Sequence, residues 1–151
     1  MSFTEGSYEK ALIALFENLG YQHQYGPNIE RDYYVPFYEE QLIESLTTIN
    51  YGKPRPAIDE AISKLKDIEI GSLPQRNELF MDYLQHGIEV SFFDGKEQCN
   101  DIIYLIDYND KNIKRNDFKV INQWTFVENS EKRADIILFV NGLPLVVIEL
   151  K

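Results

Sequence analysis

The fold of this chain is decided by the stretch RADIILFVNGLPLVVIELK, residues 133–151. Residues 134–140 and 145–151 form two runs rich in Ile, Val, Leu and Phe, which is typical of β-strands. Between them stands Asn141-Gly142, a pair that strongly favours the tight turn of a β-hairpin. Because both runs are apolar on both faces, we predict that both strands are buried in the middle of a sheet.

Three charged residues, Asp135, Glu149 and Lys151, stand in or beside these apolar runs. An unpaired charge is costly in a buried strand, so these residues either neutralise one another or serve a ligand. Glu149 and Lys151 are two apart and share a face. A plain two-residue turn would pair Asp135 with Ile148 and put the two acids on opposite faces. We therefore predict a longer loop or a bulge that sets Asp135 opposite Glu149.

Two carboxylates and a lysine arranged in this way can support metal-assisted hydrolysis of a phosphodiester. Directly opposed residues have Cβ atoms about 4.5–5.5 Å apart, which lets two carboxylates hold one hard cation such as Mg²⁺. The metal would acidify water and shield phosphate charge, while the lysine would orient water or stabilise developing charge. The spacing alone is unspecific, and a surface pair of Glu149 and Lys151 is an equally good interpretation.

Upstream of the hairpin, the sequence predicts helices followed by strands. Apolar residues recur at helical spacing over 8–19, on a face of Tyr8, Ala11, Leu12, Leu15, Phe16 and Leu19, and Gly20 follows as a stop. Helices are also predicted over 38–47, 57–70 and 75–85, and strands over 88–93, 101–108 and 118–126. We therefore predict an α/β (α+β) fold with a mixed sheet flanked by helices.

Composition sets the broad class of protein. A length of 151 residues is typical of one domain and is sufficient to form a hydrophobic core without disulfide cross-links. With Cys99, His23 and His86 as the whole inventory, disulfides and Cys/His zinc sites are excluded, which favours a cytoplasmic location. We find neither a signal-peptide pattern nor an apolar run near the roughly 18 residues of a membrane-spanning helix. The net charge of −10 argues against binding nucleic acid through bulk charge and favours a protein partner.

Residues 133–151 resemble the nuclease motif of the restriction (R) subunit of type I restriction-modification enzymes, which are PD-(D/E)xK nucleases. Segments 8–21, 104–107 and 116–123 resemble the same family, so the similarity runs from Ser2 to Lys151. The resemblance implies a restriction-endonuclease-like sheet ending in an antiparallel hairpin that carries the active site. It also implies Mg²⁺-dependent cleavage of unmodified double-stranded DNA, with the modification and specificity subunits as partners and no membrane.

The resemblance also assigns roles at the hairpin, position by position. It implies that Asp135 and Glu149 are metal ligands and that Lys151 is the catalytic lysine. The backbone carbonyl of Leu150 would complete the metal coordination.

Many nucleases of this superfamily bring an additional acid from the first helix towards the metal. Glu9 is the matching candidate, and Glu5 competes with it. Each also has a structural interpretation, because Glu5 follows Ser2 at the spacing of a capping box and Glu9 could be solvated at the helix edge.

Domains beyond the lysine are expected from the same family. In members of that family, the chain continues past the lysine into a helix bearing a glutamine and a tyrosine. ATP-driven, helicase-type motor domains follow that helix. Residues 1–151 contain no Walker-type loop, so ATP is expected to act only through those other domains. We expect residues 1–151 to be an N-terminal endonuclease domain, and the activity of this piece alone stays open. The alternatives are a non-catalytic acidic interaction module with a nuclease-like fold and a stand-alone PD-(D/E)xK nuclease.

Basic residues gather just before the hairpin. Residues 111–133 contain six Lys or Arg against three acids. We predict that this segment contacts the DNA backbone, with Lys132 and Arg133 nearest the metal; a solvated loop is the alternative. Nearby, Gln123 is expected to make a buried hydrogen bond or to orient water or phosphate, and Trp124 to lie in the core or at a subunit interface.

Overall fold

The computed structural model describes residues 4–69 and 73–151, without the side chains of residues 69 and 73. The described helices and strands are one helix and one strand, followed by three helices and then by five strands. In chain order they are α1 (Glu5–Asn18), β1 (Gln22–Tyr25), α2 (Glu39–Ile49), α3 (Arg55–Lys66), α4 (Leu73–His86), β2 (Ile88–Phe93), β3 (Gln98–Ile103), β4 (Phe118–Val127), β5 (Glu131–Val140) and β6 (Leu143–Ile148). This content confirms the predicted α+β class.

The chain forms two compact units, residues up to Leu42 together with Asp117–Lys151, and Ile43–Asn116. The first unit contains a four-stranded mixed sheet in the order β1-β4-β5-β6. In it β1 runs parallel to β4, and the other neighbours are antiparallel. The second unit contains the antiparallel pair β2–β3, against which α3 packs. In the described parts of both units, no helix is long and apolar enough to cross a membrane.

Helix α1 begins one residue after Thr4. The Thr4 hydroxyl accepts a hydrogen bond from the Ser7 amide at 3.3 Å, so Thr4 is the N-cap. Glu5 is therefore the first residue of the helix and is exposed. The proposed cap at Ser2 lies outside the described residues.

The buried face of α1 differs from the predicted one. Several members of the predicted face are exposed, namely Tyr8, Ala11, Leu15 and Leu19. The residue that is buried is Ile13, and Leu12 and Phe16 pack partly against the same cluster. Together with Glu9 these residues have the i, i+3, i+4, i+7 spacing of one helix face. Glu9 thus occupies the first position of the buried face of α1.

The two hairpin strands have different environments. β5 lies inside the sheet and is buried on both faces, as predicted. β6 is an edge strand, so the prediction that it lies in the middle of the sheet is wrong; Leu145, Val146 and Val147 are 37%, 46% and 58% exposed. Strand β1 was not predicted because its sequence, QHQY, lacks an apolar pattern. β3 begins and ends earlier than predicted.

The tip of the hairpin is locked by its own backbone geometry. Asn141 has φ 55° and Gly142 has φ 83°, the signs that a type I′ turn requires. The Asn141 side chain is fully buried and accepts a hydrogen bond from the Asp117 amide at 2.7 Å. The Gly142 carbonyl accepts one from the Tyr38 amide at 2.8 Å. These contacts fix where β6 begins.

Substitution of Gly142 by alanine is expected to destabilise the first unit by about 2–3 kcal/mol. A Cβ atom there would lie 2.6 Å from the Tyr38 carbonyl oxygen and from the Leu42 amide nitrogen. Gly20→Ala is the control, because Gly20 also has positive φ but open space around its Cβ position, and we expect a loss of about 1 kcal/mol. Urea denaturation measures both; equal losses would contradict the steric argument.

Candidate active site

The hairpin contains a β-bulge in β6. Next to the turn, Val140 pairs with Leu143, which makes the turn itself two residues long. After a shift in register, Leu138 pairs with Val146, so Leu145 is the extra residue. A bulge, one of the two forms predicted, is therefore confirmed.

The bulge changes which residues face each other at the far end of the hairpin. Ile136 pairs with Ile148 there. This is the last pair of the two strands, and the same register continued by one residue would set Asp135 opposite Glu149. Without the bulge, Asp135 would be opposite Ile148, and the two acids would lie on opposite faces.

A hydrogen bond ties Asp135 to the segment that follows β6. Its Oδ2 atom accepts from the Leu150 amide at 2.8 Å. Asp135 is half-buried, whereas Glu149 and Lys151 are exposed. Leu150 itself packs against the core cluster that contains Ile13. The carboxylate of Asp135 is thus held in a defined position at a surface that water can reach.

Gln123 stands on β4 at the level of Asp135 on β5. On either side of it, Asn122 pairs with Ile136 and Trp124 pairs with Ala134. The residue of β5 between those partners is Asp135, so Gln123 lies opposite it. We call residues 123, 135 and 149 the polar row.

The backbone of Gln123 departs from strand geometry. Its φ of 55° is in the left-handed region, which is uncommon for residues other than glycine. Ile121 and Trp124 belong to one core cluster, although strict alternation would put them on opposite faces. The same irregularity occurs on β5, where Ala134 and Ile137 share that cluster. Side-chain alternation therefore slips at the polar row.

Glu9 meets the polar row through Gln123. The Gln123 Nε2 atom donates to Glu9 Oε1 at 2.7 Å, and Glu9 is half-buried. Glu5 is exposed in the first turn of the same helix. Of the two candidate acids on α1, Glu9 is therefore the one that contacts the row.

The two basic residues expected near the site lie on β5, before Asp135. Lys132 and Arg133 are both exposed. Lys132 Nζ is 3.8 Å from a Glu128 carboxylate oxygen, and Arg133 Nε donates to Thr125 Oγ1 at 3.4 Å. Both side chains are accessible to a ligand at the surface.

Lys119, which belongs to the same basic segment, has a structural environment instead. It is buried, and its Nζ atom is 2.7 Å from both Asp117 Oδ1 and Gln41 Oε1. The positive charge of Lys119 is therefore paired with Asp117 inside the protein. The basic segment is thus not a uniform cationic surface.

Trp124 lies in the core, one of the two locations predicted for it. Its ring is 4.7 Å from the Phe139 ring, centroid to centroid. Arg31 stacks on its face at 3.3 Å and donates to the Thr125 carbonyl. Burial lowers the pKa of the Arg31 guanidinium to about 10, so it stays charged at neutral pH. Sequence reasoning did not find Arg31, because a single arginine in a loop carries no pattern.

A second acidic group lies in the turn between β2 and β3. Asp94, Glu97 and Cys99 bring ligand atoms within 4.8 Å of one another, the one such group of three or more in residues 4–69 and 73–151. Asp94 Oδ1 accepts from the Glu97 and Lys96 amides at 2.9 and 2.8 Å, and these backbone bonds lower the Asp94 pKa. The group is accounted for as an Asx turn.

Comparison with known proteins gives consistent similarities over the whole chain. A family model described as the type I restriction enzyme R protein N terminus matches residues 2–151. The type I restriction enzyme HindI endonuclease subunit of Haemophilus influenzae is 30% identical over 157 residues, which cover 97% of this chain and 15% of that protein. The type I restriction enzyme EcoprrI endonuclease subunit of Escherichia coli is 31% identical over 150 residues, covering 98% of this chain and 44% of that protein. This chain thus matches less than half the length of each.

Proposed function

Because the chain belongs to the family of type I restriction enzyme R protein N termini, we propose that it is the nuclease part of an R subunit. In this proposal, residues 1–151 form an N-terminal PD-(D/E)xK endonuclease domain that makes Mg²⁺-dependent breaks in unmodified double-stranded DNA. The modification and specificity subunits are its partners, and ATP acts through other domains of the protein. The observation that supports the proposal is the bulged register, whose last pair, Ile136 with Ile148, stands next to Asp135 and Glu149 in the two chain segments.

The residues of the polar row fit a Mg²⁺ ion. Mg²⁺ prefers oxygen ligands and keeps several waters, which suits one half-buried and one exposed carboxylate. The Leu150 amide uses one lone pair of Asp135, and a carboxylate has about four. Asp135 and Glu149 would hold the ion, with the Leu150 carbonyl as a further ligand. When bound, Mg²⁺ supplies a Lewis acid that acidifies water and shields phosphate charge.

The protein side chains have separate tasks in this mechanism. The Leu150 amide fixes Asp135 before substrate arrives, so little reorganisation accompanies the reaction. Lys151 stands two residues after Glu149, and its ammonium group would orient the attacking water and stabilise charge on the phosphate. Glu9 is the supplementary acid contributed by α1.

Cleavage of matched DNA substrates tests the proposal. The full-length protein, assembled with its modification and specificity subunits and supplied with ATP, should cut unmodified DNA in the presence of Mg²⁺. DNA that carries the protective modification should stay intact. Absence of cleavage by an assembled complex that hydrolyses ATP would favour the non-catalytic interaction module.

Charge reversal at Lys132 and Arg133 is expected to weaken DNA binding and cleavage by the assembled enzyme. If each residue contacts one phosphate, the slope of log affinity against log salt should fall by about 1–2. Lys111→Glu with Lys114→Glu is the matched control, because it makes the same charge change on another exposed segment. DNA affinities measured over a salt series compare the pairs; equal effects would remove Lys132 and Arg133 from the DNA-binding surface.

A further inference from the structure

We propose that Gln123 is a positioning residue that holds Glu9 towards the metal site, and that its strained backbone is retained for this purpose. The inference rests on the proposed nuclease function and deepens it. Its starting point is the hydrogen bond of 2.7 Å between Gln123 Nε2 and Glu9 Oε1.

Pairing of β4 with β5 does not require the unusual backbone of Gln123. Asn122 and Trp124 pair with β5 in the same register, so no residue is inserted at this point. A left-handed residue in mid-strand nevertheless costs free energy, and such strain tends to be kept at functional sites. Here the side chain of the strained residue contacts α1, and its neighbour in the row is Asp135. The left-handed conformation thus occurs at the residue whose side chain contacts Glu9 of α1.

A glutamine is chemically suited to this position. Glu9 lies on the buried face of α1 beside Ile13, where a carboxylate needs a hydrogen-bond donor. Lysine or arginine would supply one but would neutralise the negative charge that a cation needs. The amide of Gln123 orients Glu9 and leaves its charge intact.

The contact of Glu9 with the metal site is inferred to run through water. Within the described residues, Glu9, Asp135 and Glu149 do not bring three ligand atoms within 4.8 Å of one another. Mg²⁺ keeps several of its waters in protein sites, and outer groups that orient them tune affinity. Gln123 would therefore not contact the ion and would affect its binding only by positioning Glu9.

Mn²⁺ binding to the full-length protein, measured without nucleotide, tests the inference. Only the part of this binding that is lost in Asp135→Asn is counted as binding at the site. Gln123→Gly should weaken that binding about tenfold. Because glycine adopts positive φ freely, the melting temperature should equal or exceed the native one. Gln123→Asn tolerates positive φ and keeps an amide but is one methylene shorter, so it should weaken Mn²⁺ binding as glycine does. If the glycine variant fails to fold, Gln123→Asn carries the test.

Two further variants make the result specific. Gly20→Ala introduces strain at another position with positive φ, away from the polar row, and it should lower the melting temperature without changing Mn²⁺ affinity, since nothing lies within 4 Å of its Cβ position. In a Glu9→Gln background, Gln123→Gly should change Mn²⁺ affinity less than twofold, because the two residues act together.

Each outcome bears on one proposal. Native Mn²⁺ affinity in Gln123→Gly or Gln123→Asn, or additive effects with Glu9→Gln, would overturn the positioning role while leaving the nuclease proposal intact. Unchanged Mn²⁺ binding and DNA cleavage in Asp135→Asn would instead overturn the metal site itself. Loss of affinity at Gln123 that disappears in the Glu9→Gln background supports the inference.

Discussion

Replacement of Asp135 by alanine is expected to lower DNA cleavage by the assembled full-length enzyme about a thousandfold or more, equivalent to about 4 kcal/mol of activation free energy. The substitution removes a carboxylate from the proposed metal site. It also leaves the Leu150 amide without the acceptor that now lies 2.8 Å away. Initial rates of cleavage on unmodified DNA, measured at saturating Mg²⁺, check the prediction.

Asp135→Asn separates the two roles of this residue. The asparagine Oδ1 atom can still accept from the Leu150 amide, but the negative charge is gone. We expect the same loss of cleavage as in Asp135→Ala, with a melting temperature close to that of the native protein. ATP hydrolysis by the same preparations should be unchanged, which verifies assembly. Native cleavage rates in both variants would remove Asp135 from the active site.

The bulge was predictable because charge imposes a stronger condition than turn propensity. Asn141-Gly142 by itself predicts a two-residue turn, and that turn is present. A regular hairpin after it would have separated Asp135 from Glu149. The requirement that the two acids share a face therefore predicted an extra residue, although the sequence did not indicate that it would be Leu145.

Other parts of the fold were not predictable, for reasons that differ from element to element. The apolar residues of β6 predicted a strand inside the sheet, yet β6 lies at an edge of the sheet. The apolar pattern of a strand does not show whether it has a neighbouring strand on both sides. In α1, two overlapping sets of residues have the spacing of one helix face. The set that is buried includes the charged residue Glu9, and for this reason it was not predicted to be the buried face. β1 gains its place through backbone pairing with β4, which does not depend on side-chain pattern.

The sequence also predicted some residues of the candidate site and missed the role of another. Asp135, Glu149 and Lys151 were predicted as site residues because an unpaired charge in an apolar strand costs free energy unless it is paired or binds a ligand. Gln123 was predicted only to make a buried hydrogen bond or to orient water or phosphate, and no contact with α1 was predicted for it. Its φ of 55° and its hydrogen bond to Glu9 of α1, a residue remote in sequence, are not indicated by any local sequence pattern.

Replacement of Lys151 by alanine is the second change expected to have a large effect, about 100-fold or more on cleavage. The reason differs from that for Asp135. Lys151 is exposed and two residues from Glu149, so its ammonium group is proposed to act on water and phosphate and not on the metal. Removing a positive charge beside two carboxylates should leave Mn²⁺ affinity unchanged or slightly higher. Cleavage rates and Mn²⁺ titrations on the same preparations measure both effects.

These two variants should therefore differ in their response to metal concentration. Raising Mg²⁺ should restore part of the cleavage lost in Asp135→Asn if weakened binding contributes to its defect, and none of that lost in Lys151→Ala. Added methylamine should restore part of the Lys151→Ala activity, because it supplies the missing ammonium group, and should not help Asp135→Asn. Lys151→Arg keeps the charge but changes its shape, so it should retain more activity than alanine if charge dominates. Recovery of Lys151→Ala by Mg²⁺ alone would mean that the lysine serves metal binding, and the separate roles proposed for Asp135 and Lys151 would be wrong.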